Sequence, residues 1–79
     1  MQAEQIKARL MQTFPDAEIA VFDLTGTQDH WQVQIATSSF QGLNRIQQHQ
    51  AVMKVFDPEL KTGEMHALSL KTTLKLNSI

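Results

Sequence analysis

Apolar residues recur along the chain with two different periods, and the switches between them mark the elements. Ala3, Ile6, Leu10 and Phe14 stand three or four residues apart, with Gln5, Lys7 and Arg9 off the stripe, which predicts a helix from Gln2 to about Phe14. Pro15 closes it, because the residue before a proline avoids the helical region. Ala17 to Leu24 is dense in apolar residues (Ile19, Ala20, Val21, Phe22) and predicts a strand at least partly covered on both faces. Thr25-Gly26-Thr27-Gln28-Asp29-His30 is turn material. From Trp31 to Thr37 the period is two, with Trp31, Val33 and Ile35 inward and Gln32 and Gln34 outward. The two strands make an antiparallel hairpin.

The helical period then returns. Asn44 is placed as an N-cap with Gln47 three residues on, the arrangement of a capping box. Ile46, His49, Met53 and Phe56 share one face, flanked by Val52 and Val55. Asp57-Pro58 stops the helix and starts a short turn, Leu60 packs back, and Gly63 is a natural stop. Residues 65–72, Met65-His66-Ala67-Leu68-Ser69-Leu70-Lys71-Thr72, read as a last strand, with Leu68 and Leu70 on one face and Ala67, Ser69 and Lys71 on the other. Thr73 to Ile79 reads as a partly frayed polar tail.

The predicted order is helix, strand, strand, helix, turn, strand. A strand-helix-strand connection of this length makes a right-handed crossover with parallel strands. The expected fold is therefore α+β, a single domain over residues 1–79, with helices packed on a mixed three-stranded sheet.

That topology concerns two histidines. His30 stands just before the second strand and His66 opens the third. Parallel strands start at one end of a sheet, so both imidazoles are expected at one rim. There they are either polar strand ends or a pair of nitrogen ligands. Two ligands are half a site, since zinc centres use three or four protein ligands; a metal shared with another molecule accounts for the shortfall. His49, on an apolar helix face, reads as a packed side chain, and Trp31 and Phe40 as core residues.

Composition narrows the classes. The chain has 79 residues and no cysteine, so neither a disulfide nor a thiolate can come from it. Seven Lys/Arg against eight Asp/Glu give a net charge of -1, with the basic residues scattered. Strong non-specific phosphate binding usually needs a clustered basic footprint, so at most one modest patch is expected. No apolar run approaches membrane-spanning length and no signal-like segment opens the chain, and the expected location is the cytoplasm. No nucleophile–base pair or phosphate-cradling loop suggests an enzyme.

Ser39-Phe40-Gln41-Gly42-Leu43, the helix containing Gln47-Gln48-His49-Gln50, and His66-Ala67-Leu68-Ser69-Leu70-Lys71-Thr72 together resemble the BolA family over nearly the whole chain. The resemblance implies an α-β-β-α-α-β order like a class II KH domain. It also implies a partner, a monothiol glutaredoxin with which BolA proteins share a 2Fe-2S cluster. The glutaredoxin cysteine and glutathione supply sulfur, and the histidine opening the last strand, here His66, supplies nitrogen. His30 occupies the position of the second, loop-borne ligand, which places the chain with the histidine type. An alternative from the same resemblance is a KH-like DNA-binding regulator of transcription or stress response, using Gly42, Arg45, His49 and Lys54. The family's helix often reads R-H-R, whereas Gln48 and Gln50 flank His49 here, which weakens that alternative.

Overall fold

The computed structural model describes residues 2–28, 30–65 and 67–75. Helix α1 (Ala3–Thr13) is followed by strands β1 (Glu18–Asp23) and β2 (His30–Thr37), and a 3-10 turn (Ser38–Phe40) leads on from β2. Helices α2 (Arg45–Val55) and α3 (Asp57–Thr62) and strand β3 (Ala67–Leu74) complete the order. The sheet runs β1-β2-β3, with β1 antiparallel and β3 parallel to β2. This is the expected α+β arrangement with a crossover.

The core lies between the helices and one face of this sheet. Ile6, Leu10 and Phe14 of the α1 stripe meet Trp31, Val33 and Ile35 of β2, with Phe40, Val52, Phe56 and Met65. Burial alternates along all of β2. A one-residue slip would turn Trp31, Val33 and Ile35 outward. Each such side chain contributes roughly 1.5–3 kcal/mol by being buried, so the apolar pattern sets the register.

Several boundaries differ from the sequence expectation. His30 is the first residue of β2 rather than the last of the loop, because Leu24 donates its N–H to the His30 carbonyl (2.9 Å). The short turn after Asp57 is a helical one, α3, with Pro58 in its first turn and Gly63 closing it at φ 82. The last strand ends at Leu74, not Thr72, since Thr73 and Leu74 pair with Ala36 and Thr37. The described part of the tail is thus sheet, and residues 76–79 lie outside the described residues.

Two packing expectations are also corrected. Among the described residues no helix packs on the sheet face carrying Ala20, Gln34 and Lys71, and Phe22 is 45% and Leu24 56% exposed, so β1 is covered on one face. On α2 the inward residues are Val52 and Phe56 with Ala51 and Val55, while Ile46 is 69% exposed. Starting at Asn44, whose side chain and that of Gln47 form the expected capping box, the helix turns Ile46 outward and Gln48 inward.

Arg9 ties the helical layer together. Its guanidinium ion-pairs with Glu59, donates to the Val55 carbonyl, and lies 4.9 Å over the Phe56 ring. A side chain that periodicity assigns to solvent thus joins α1 to the end of α2 and to α3.

Candidate functional site

The end of the sheet at which β2 begins is organised by a carboxylate. Asp23, the last residue of β1, accepts the N–H groups of Thr25 (3.3 Å) and Gly26 (2.9 Å) on Oδ1 and of Gln28 (3.1 Å) on Oδ2. Asp at the first position and Gly at the fourth are the residues a tight turn selects. Gly26 takes φ 77, and Gln28, the one described non-glycine residue with positive φ, takes φ 61. Beyond the turn the Trp31 indole N–H donates to the Gln28 carbonyl (3.1 Å). The indole body is buried, so the core reaches up and holds the loop from below.

His30 emerges from this loop half-buried, on the sheet face opposite to Trp31. In the β2–β3 register it stands opposite Ala67, the residue after His66. His66 lies outside the described residues. Among the described residues no group of three or more His, Asp and Glu side chains converges to hold a metal.

A second feature lies at the other edge of the sheet. Arg45 and His49, four residues apart on α2, line a trough of about 390 Å³ with Leu70, Lys71, Thr72 and Thr73 of β3. Three basic residues therefore line one groove, and no carboxylate among the described residues lines it. Its floor is stiffened by Gln48, which donates to the Leu43 carbonyl (2.9 Å) and accepts from the Thr72 hydroxyl (2.8 Å).

The family model described as BolA-like protein matches residues 7–75. The chain belongs to the BolA-like family. An uncharacterised protein of Rickettsia prowazekii is 35% identical over 72 residues, covering 91% of this chain and 92% of that one. The NMR structure of a BolA-like protein from the same organism superposes with a TM-score of 0.70 at 33% identity, covering 96% and 97% of the two chains. BolA1 from Arabidopsis thaliana superposes with a TM-score of 0.83 at 26% identity, covering 98% and 95%. The BolA domain of SufE1 from Arabidopsis thaliana has the same fold, with a TM-score of 0.81 at 23% identity and 94% coverage of each chain.

Set on this BolA-like fold, the sequence-predicted residues fall into separate places. His30 is at the start of β2 and Arg45 and His49 share the groove at β3. Gly42, at φ 80 between the 3-10 turn and α2, and the exposed Lys54, in the last turn of α2, are not among the groove's lining residues. His49 is half-buried but faces this basic trough rather than the apolar core. Sequence reasoning passed over Asp23 and Lys71 as site residues. The Asp-x-x-Gly turn signal in residues 23–26 could have found the first; the second needed the β3 edge to be seen beside α2.

At this rim the described residues offer one imidazole, that of His30, a ligand type that iron–sulfur centres accept in place of thiolate. The chain has no cysteine. Sulfur ligands for such a cluster would come from another molecule.

Proposed function

We propose that this BolA-like protein is a non-catalytic partner of a monothiol glutaredoxin, co-ligating a shared 2Fe-2S cluster in iron–sulfur trafficking or iron regulation. His66 and His30 would supply nitrogen, and the glutaredoxin cysteine and glutathione would supply sulfur. The observation that carries the reading is the parallel register that places His30 across from the residue following His66. An ordered loop and a nitrogen donor on a chain without cysteine support it further.

The cluster, when bound, supplies the redox-active iron. The chain's own part is to present neutral imidazole nitrogen at an edge another protein can approach. Imidazole ligates in its unprotonated form, so the heterodimer should weaken on acidification. The test is to add the protein to a cluster-loaded monothiol glutaredoxin and record visible circular dichroism. A new spectrum with wild type, altered in His66→Ala and in His30→Ala, is expected. An unchanged spectrum with wild type sinks the proposal.

The groove formed by Arg45, His49 and Lys71 favours a second reading, a weak DNA-binding regulator of transcription or stress response. Phosphate contacts of this kind depend steeply on salt. Binding of a duplex at about 50 mM salt, lost in an Arg45→Ala Lys71→Ala variant, would favour it. A flat titration would exclude it.

A further inference from the structure

We infer that Asp23 is a positioning residue for His30, holding the β1–β2 loop so that the imidazole is preset for ligation before any partner arrives. This inference rests on the proposed ligand role of His30. Asp23 lies on the opposite strand from His30, across the loop, yet its carboxylate reaches three of the loop's N–H groups, those of Thr25, Gly26 and Gln28. The loop's far side is tied twice more. The Trp31 indole N–H holds the Gln28 carbonyl, and the Leu24 N–H holds the His30 carbonyl.

The bland alternative is a turn that merely closes a hairpin. Two observations favour more than that. A hairpin is closed most simply by two residues, whereas residues 24–29 separate these strands. The loop also keeps Gln28 at φ 61, two positions before His30, in a region that side-chain-bearing residues avoid. The charged acceptor that Gln28 N–H meets there is Asp23 Oδ2, 3.1 Å away. The carboxylate thus holds an unfavourable backbone turn two positions before the first residue of β2.

The physical benefit is preorganisation. A ligand on a loop that must be ordered during binding loses affinity by the conformational entropy of that ordering. A loop already ordered by Asp23 avoids the loss. Phe22 and Leu24, on the same sheet face as His30, are exposed and offer apolar surface to an approaching protein.

The experiment is a double-mutant cycle on the full chain with cluster-loaded monothiol glutaredoxin, using wild type, Asp23→Ala, His30→Ala and the double variant. Asp23→Ala is expected to weaken heterodimer formation at least about threefold when His30 is present, and hardly at all in the His30→Ala background, the non-additivity of coupled residues. In the chain alone, long-range proton–nitrogen spectra of the imidazoles should show the His30 signals shifted or broadened in Asp23→Ala and the His49 signals unmoved. Equal losses in both backgrounds, or unmoved His30 signals, would overturn the inference while leaving the ligand role intact. If His30→Ala itself leaves the cluster spectrum and affinity unchanged, the ligand role of His30 falls and takes this inference with it. Should Asp23→Ala fail to fold, Asp23→Asn, which retains one carbonyl acceptor but loses the charge, carries the same cycle with a smaller expected loss.

Discussion

The two ends of the β1–β2 hairpin are each organised by an aspartate, and they are built for different ends. At the Thr37 end, Asp16 accepts from the Thr37 hydroxyl (2.5 Å), the Ser38 hydroxyl (2.6 Å) and the Ser38 N–H (2.9 Å). Thr37 there is fully buried, and the Phe14 and Phe40 rings meet edge-to-face beneath it at 5.6 Å. Lys75 adds its ammonium to the Asp16 carbonyl and its N–H to the Thr37 carbonyl. The hydroxyls of Ser38 and then Thr37, followed by the Ser38 N–H, hold the Asp16 carboxyl well below the usual carboxylate range. At the other end Asp23 accepts the backbone N–H groups of Thr25, Gly26 and Gln28, and the described residues of that loop are exposed. One aspartate locks chain segments into the core; the other shapes a loop that faces outward. The same residue type thus serves stability at one end of the hairpin and presentation at the other.

Five substitutions test that contrast. Phe40→Ala, at the locked end, should cost about 3–5 kcal/mol, as large-to-small core changes do, seen as a lower denaturation midpoint. Imidazole signals of His30 in the fraction still folded should stay in place. Displaced His30 signals would mean that the two ends are not independent.

Thr37→Val removes a buried donor and should cost about 1–2 kcal/mol by the same measurement. It also sharpens a pH prediction. Asp16 has a depressed folded-state pKa, so its contribution to stability is present above the unfolded value of about 3.9 and is lost as pH falls through the folded one. Wild type should therefore lose stability on acidification below about pH 4–5, and Thr37→Val should show a shallower loss over the same range. An identical acid slope in both proteins would remove Thr37 as a cause of the depression.

Gly26→Ala and Gly42→Ala each place a Cβ in open space but at φ 77 and φ 80. Each should cost about 1–2 kcal/mol from backbone conformation alone. Gly26→Ala is expected to move the His30 signals and Gly42→Ala to leave them, although the stability losses match. Asp23→Ala has the smallest expected effect on the denaturation midpoint, within about 0.5–1 kcal/mol for an exposed position. A loss as large as that of Phe40→Ala would place Asp23 with the structural end.

Much of the fold was legible because it rests on local repetition. The α1 stripe, the alternation of β2 and the Asn44–Gln47 box each specify an element within a few residues of chain, and each is found where expected. Ile46, read as part of the inward stripe, faces outward, because the α2 stripe was read without knowing which side β3 would occupy. Gln48 stands where the family often has arginine, and it faces inward because Thr72 and the Leu43 carbonyl offer it partners. Arg9 was assigned to solvent for the same reason: Glu59 is 50 residues away, and no local period reports such a partner.

For the candidate site, His30 was legible by residue type and by the topology argument, and the parallel neighbours β2 and β3 bear out the topology. His66 remains named by sequence, beyond the described residues. By itself the sequence determined the element order, the inward face of β2, the absence of a thiolate and the family resemblance, all of which follow from residue identity and short-range spacing. Only the tertiary structure decided that Asp16 and Asp23 serve opposite purposes, that Arg45, His49 and Lys71 line one groove, and that no described helix covers one face of the sheet. Those facts depend on which distant segments meet, and packing decides that through contacts that leave no periodic trace along the chain.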